Sequence, residues 1–157
     1  MLYVFKYDII LCHINNKGEI MATFTSGQAD SNQSFKQFPS GTLAVRYAKI
    51  NVTAACNTND VYQMVQVFSG ETVHDVKIKS SDLDAGTDLV YDVGDGSDVD
   101  RYIDGSTCGQ TGVSDTTGVA DLAPYEYSAD DTIDILVQVD PATDVATGTL
   151  EMWVYVS

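Results

Sequence analysis

The sequence predicts an all-β domain, a two-sheet sandwich of jelly-roll type preceded by an extended N-terminal arm. Three observations carry that reading. The 157 residues are a one-domain length, and 44% of them are hydrophobic, enough to build a core. Val, Thr, Tyr and Ile dominate and strong helix formers rarely occur in runs, a balance that suits pleated, half-buried surfaces. Short apolar segments alternate with turn clusters of Gly, Ser, Asn and Asp, which gives seven or eight expected strands and no strand–helix rhythm.

Residues 1–20, MLYVFKYDIILCHINNKGEI, make a poor secretion signal: Lys6 and Asp8 interrupt the apolar run, and no small-x-small cleavage site follows. The stretch is also too short and too charged to span a bilayer. Lys17-Gly18-Glu19 can be encoded by AAA GGA GAA, which contains a bacterial ribosome-binding sequence, a short distance before Met21. Residues 1–20 are therefore expected to be an upstream extension or non-native start. The alternative is a real N-terminal strand in LYVFKYDIIL. Residues 21–42 are rich in Ser, Gln and Thr, with Phe24, Phe35 and Phe38 at no regular period. They are expected to form an extended arm that orders on contact with a partner, its aromatics serving as anchors.

The sandwich itself is expected over residues 43–157. In Leu43–Thr53, Leu43, Val45 and Tyr47 share one face, and Ile50 and Val52 continue it after a phase slip, which implies a bulge or bend. Val61–Phe68 follows, with Val61, Val65 and Val67 in phase. Thr72–Lys79 places His74, Val76 and Ile78 on one face and Val73, Asp75, Lys77 and Lys79 on the other, the alternation of a strand with one wet side. Thr87–Ser106 reads as strand, Gly-Asp-Gly turn and second strand, the second carrying Val99, Tyr102 and Ile103. Thr107–Gly118 is expected to be a long surface loop, and Val119–Ala129, with Pro124, an edge strand or ordered loop. Asp131–Val139 turns Ile133, Ile135, Val137 and Val139 inward. The last strand, Thr147–Val156, lines one face with Leu150, Met152, Val154 and Val156 and the other with Trp153 and Tyr155. An apolar strand on both sides is either central or covered by another subunit.

The charge is unevenly divided. Residues 1–79 hold six acids and seven bases, and residues 80–157 hold seventeen acids and one base, Arg101, for a net charge of −15. Such a chain repels DNA and anionic membranes, so neither nucleic acid nor membrane is expected as a partner. Cys12, Cys56 and Cys108 form no disulfide pattern and no Cys-x-x-Cys pair, which argues against a zinc site and fits a reducing compartment.

No catalytic constellation stands out. Gly-x-Ser-x-Gly is absent, and His74 has no evident orienting partner, so it reads as a core or interface residue and catalytic residues are not expected. Asp92, Asp95, Asp98 and Asp100 have the oxygen-rich character of a calcium loop, but the EF-hand spacing is not met. The competing reading, aspartates shaping a hairpin turn with Arg101 as their internal partner, is preferred, and no cofactor is expected. Asn51-Val52-Thr53 matches a glycosylation acceptor but lies inside an expected strand.

Residues 60–105 resemble the capsid decoration, or cement, proteins of tailed bacteriophages. The matching positions are Val73, Asp75, Val76, Ile78, Ser80 or Ser81, Asp82, Leu83 and Asp84, followed by Tyr91, Asp92, Val93, Gly94, Asp95, Gly96, Asp98, Asp100, Arg101, Tyr102, Asp104 and Gly105. The final two strands share the pattern loosely, and residues 1–20 have no counterpart in it. The resemblance implies a non-enzymatic virion protein that is made in the host cytoplasm. It would sit on the capsid exterior, bind the major capsid protein and bridge capsomers as a homo-oligomer, a trimer more than a dimer. Phe24, Phe35, Phe38, Trp153 and Tyr155 are the expected capsid or oligomer contacts. A receptor- or carbohydrate-binding module of a tail fibre is the alternative.

Overall fold

A computed structural model of the chain describes residues 3–5, 8–14, 20–29, 41–117, 124–143 and 147–157, and for residues up to 21 the backbone only. The described residues form twelve strands: β1 (Tyr3–Phe5), β2 (Asp8–Ile14), β3 (Ile20–Thr25), β4 (Ala44–Val52), β5 (Val61–Val67), β6 (Thr72–Ser80), β7 (Val90–Gly94), β8 (Ile103–Ser106), β9 (Ser114–Thr116), β10 (Tyr125–Glu126), β11 (Asp131–Val139) and β12 (Gly148–Val156).

They make two sheets. One has the order β1-β2-β3-β5-β11-β7-β8; the other runs β10-β6-β12-β4, with β9 also paired to β6. Neighbours are antiparallel except β3 and β5, which run parallel at Thr23–Val61, Phe24–Tyr62 and Thr25–Gln63. The inner faces of both sheets meet in a single hydrophobic cluster. Tyr62, Met64, Tyr91, Ile133 and Ile135 come from the first sheet, and Ile50, Ile78, Leu150, Met152 and Val154 from the second. The predicted all-β, two-sheet sandwich is therefore the architecture observed.

The strands follow their expected spans more closely than their expected faces. β11 and β12 bury Ile133, Ile135 and Val137 and Leu150, Met152, Val154 and Val156, and β12 lies between β6 and β4 as a central strand. Val139 instead emerges, 39% exposed, after a register shift between Val137 and Val139. In β4 no phase slip occurs. Nine consecutive pairs with β12 run without interruption from Val52–Gly148 to Ala44–Val156. Its buried residues are Ala44, Arg46, Ala48, Ile50 and Val52, and Leu43, Val45 and Tyr47 face solvent. The slip belongs to β5, where consecutive Met64 and Val65 are both buried and the register with β11 shifts at Ile133–Asp134. In β6 the shift falls opposite Tyr155 and Val156, so Val73 turns inward and His74 bulges out to solvent. His74 is thus on the surface, bonded to the Ser157 hydroxyl at 2.8 Å, and not on the face of Val76 and Ile78.

Two further segments differ from expectation. Val99 lies in an exposed turn, not in a strand. Residues 107–117 are no free loop: a 3-10 turn at Cys108–Gln110 buries Cys108 and Gly109, and β9 pairs with Lys77–Lys79. Gly109 fits there because a Cβ would stand 2.7 Å from the Tyr91 ring and 2.8 Å from Leu89.

Buried polar side chains fasten the loops, each satisfied by backbone partners. Asp84 accepts from the amides of Gly86, Asp88, Leu89 and Thr143, tying the β6–β7 connection to the β11–β12 connection. Burial alone would raise its carboxyl, but these four donors hold it below the usual carboxylate range. Asp60 accepts from Asn57 and from the amide of Ala22, which seats β3 beside β5. Arg46 points inward from β4 and pairs through both terminal nitrogens with Glu71, and it donates to the Gln66 carbonyl at 2.8 Å.

Candidate assembly face and the Asp95–Arg101 turn

The stretch richest in sequence signals is the β7–β8 connection. Its tightness comes from Gly94. A Cβ there would lie 2.0 Å from the Asp98 carbonyl oxygen and 2.4 Å from the Val99 carbonyl carbon, so any side chain would force the turn open. The turn folds back on itself through Asp95 N–H to Asp98 O at 2.8 Å.

Five donors converge on the Asp95 carboxylate. Oδ1 accepts from the Ser97 amide at 2.9 Å, the Ser97 hydroxyl at 2.7 Å and the Asp98 amide at 3.0 Å. Oδ2 accepts from Arg101 Nε at 2.6 Å and the Tyr127 hydroxyl at 2.9 Å. With the Tyr127 proton used in that way, the Tyr102 hydroxyl, 2.8 Å off, donates to Tyr127. Burial alone would raise the Asp95 carboxyl. Arg101, Ser97 and Tyr127 outweigh it and hold the group below its usual range. The Arg101 guanidinium also lies 3.8 Å from the centre of the Tyr125 ring, a cation–π contact that links this turn to β10.

The four aspartates considered for calcium are therefore spread over different tasks. Asp95 faces Arg101, Asp92 accepts from the Gly105 amide at 2.9 Å, Asp98 lies 3.7 Å from Arg101, and Asp100 is exposed to solvent. Among the described residues no group of three or more His, Cys, Asp or Glu side chains is placed to hold a metal ion. The arrangement closes the turn on one buried ion pair, Asp95 and Arg101, whose remaining hydrogen-bonding groups are largely met.

The second feature is the outer face of the β6–β12–β4 sheet. Cross-strand register places its residues in rows: Val45, Tyr155 and Asp75; Tyr47, Trp153 and Lys77; Lys49, Glu151 and Lys79. The Tyr47 and Trp153 rings lie 5.2 Å apart at 45°. The Tyr47 hydroxyl donates to Glu151 at 2.9 Å, and Lys49 stands 3.9 Å from the same carboxylate. Leu43, Val45 and Tyr47 are 61%, 52% and 43% exposed, an unusual set for one edge strand. A groove of about 310 Å³ runs along this edge, between Tyr47–Lys49 and Ser26–Gln28.

Of the expected contact residues, Trp153 and Tyr155 stand on this face, half-buried. Phe24 does not join them: it stacks on Tyr62 at 4.8 Å, against the core. Phe35 and Phe38 lie outside the described residues. Sequence reasoning missed Leu43, Val45 and Tyr47 as surface residues; it placed Lys77 and Lys79 on a wet face but did not bring them together with this patch. The signal was present in β4, where Ala44, Arg46 and Ala48 alternate with those apolar residues, but small and charged side chains do not look like a core.

No protein-family model matches the sequence, and no curated protein matches it significantly. Solved structures match in shape. A chain from the capsid of Ralstonia phage GP4 superposes with a TM-score of 0.73 at 17% identity, over 85% of this chain and 96% of that one. A chain from the cyanophage Pam1 capsid asymmetric unit gives 0.65 at 24% identity, over 82% and 94%. One from the acidic stable capsid structure of Helicobacter pylori bacteriophage KHP30 gives 0.52 at 16% identity, over 74% and 92%. At these identities the likeness is one of fold: this chain shares its two-sheet β architecture with chains found in three phage capsids.

Proposed function

We propose that the chain is a non-enzymatic structural protein of a tailed-phage virion, a decoration protein that sits on the outside of the head. It binds the major capsid protein and bridges neighbouring capsomers as a homo-oligomer, a trimer in preference to a dimer. It is made in the cytoplasm of the host cell and needs no cofactor. The observation that carries the reading is the extent of the structural likeness: the alignments span 92–96% of each of three capsid chains, so the whole domain corresponds and not one motif. The Asp-Gly turn that carries the sequence resemblance is folded around the buried Asp95–Arg101 pair, and the outer face of β6–β12–β4 supplies apolar area for assembly. Many weak copies of such a contact add by multivalency across an icosahedral shell.

Expanded heads lacking this protein, prepared from the virus that encodes it, provide the test. Purified chain added to them should bind to a fixed stoichiometry and raise the temperature at which the heads rupture. Heads that neither bind it nor gain stability would sink the proposal. The tilted Tyr47–Trp153 pair favours one second reading, a carbohydrate-binding module of a tail fibre. Glycan-array binding in place of head binding would select it.

A further inference from the structure

We propose that the outer face of the β6–β12–β4 sheet docks an apolar protein patch rimmed with carboxylates. On the functional reading above, on which the identity of the partner rests, that patch belongs to the shell subunit.

The distribution of cations is the first ground. Five basic side chains lie among the described residues. Two are internal, Arg46 against Glu71 and Arg101 against Asp95. The other three, Lys49, Lys77 and Lys79, are exposed and project from this one face, in register on β4 and β6 across β12. Lys49 shares Glu151 with the Tyr47 hydroxyl, and neither Lys77 nor Lys79 makes an ion pair among the described residues. The face's other carboxylate, Asp75, accepts from the Thr116 hydroxyl at 3.1 Å.

Apolar area is the second ground. Three of the six exposed large hydrophobic residues, Leu43, Val45 and Tyr47, belong to β4 and its entry, and Trp153 and Tyr155 continue the patch onto β12. Elsewhere the surface repels acids. Asp82, Asp88, Asp100, Asp104, Asp130 and Asp140 are exposed in the loops and at strand ends. An acidic partner approaching a chain of net charge −15 is thus turned toward the face that carries the exposed cations and apolar area of the described residues. A second copy is a poorer fit, because it would bring three more lysines to meet these three.

The face carries its own reporter, since Trp153 is the only tryptophan in the chain and sits between Tyr47 and Lys77. Poly-L-glutamate titrated at low ionic strength should shift Trp153 emission, and about 0.5 M NaCl should reverse the shift by screening. The combined variant Lys49→Glu, Lys77→Glu, Lys79→Glu should lose the shift and bind heads at least roughly tenfold more weakly. Asp82→Asn with Asp100→Asn and Asp104→Asn should leave head binding unchanged. Lys77→Gln with Lys79→Gln is the milder variant, should the reversal fail to fold. Unaltered emission in poly-L-glutamate, or head binding by the lysine variants equal to wild type, would overturn the inference. So would a dimer of the chain alone that these variants dissociate. Wild-type protein that responds to poly-L-glutamate but ignores the heads would uphold the face and remove the decoration reading instead.

Discussion

Asp95 and Asp134 are near neighbours with opposite electrostatics: Asp134 pairs across the β7–β11 ladder with Gly94, and Asp95 is the next residue. Arg101 makes the difference. Removing it leaves a buried carboxylate with only the neutral donors of Ser97, Asp98 and Tyr127, and loss of one partner of a buried pair costs about 3–5 kcal/mol. Arg101→Ala should therefore lower the melting temperature by roughly 10 °C for a domain of this size, as read by calorimetry. An unchanged melting temperature would remove the turn's structural role. Asp134 has no such cation. Its Oδ1 is buried without a hydrogen-bond partner, and burial, helped by Asp131 and Asp95, pushes the carboxyl up to about 7. The unfolded group titrates near 4, so between pH ~4 and ~7 the folded state holds the extra proton and stability falls as pH rises. Asp134→Asn should then stabilise the protein by roughly 2–4 kcal/mol at pH 8 and by little at pH 4. Equal effects at both pH values would refute this assignment.

Among the elements, β4 teaches most. Its inward residues include Arg46, whose charge is met by Glu71 from the β5–β6 turn, and its outward residues include Val45 and Tyr47. Val45→Thr should change stability by no more than about 0.5 kcal/mol, and Ile50→Thr should cost about 2–3 kcal/mol, measured by urea unfolding. Similar losses at both positions would restore the inverted phase. Hydrophobic periodicity located β11 and β12 because both are central strands with a dry side, where alternation reports burial directly. It misread β4 because the partner of Arg46 is 25 residues away and the apolar side faces outward. β9 and β10, three and two residues long, are too short to show a period; they exist because β6 offers them an edge. The Asp95–Arg101 pairing was legible because its partners are six residues apart, whereas Tyr127 and Tyr125 joined it only through folding. For the same reason Lys49 and Lys79 gave no joint signal: β12, distant from both in sequence, places them in one row.

For the whole molecule, the net charge of −15 resists compaction. Among the described residues most exposed carboxylates make no ion pair, and two of the five bases are already used inside. Raising NaCl from about 10 to about 150 mM shortens the Debye length from roughly 30 to 8 Å, and the melting temperature at pH 7 should rise with it. A flat or falling response would mean that lysine–carboxylate attraction outweighs the repulsion. The same screening weakens the contact proposed for the lysine face, so salt should act in opposite directions on the free chain and on its complex.

The position of β12 also has a mechanical consequence. It is held by nine residue pairs on the β4 side and seven on the β6 side, and Ser157 exchanges two hydrogen bonds of 3.0 Å with Thr72 at its end. A force applied along the strand from the C-terminus loads both ladders in shear, so their bonds must fail together and not one at a time. An optical-tweezers handle at Ser157 would pull on the best-braced strand of its sheet, where tension is carried without opening the fold.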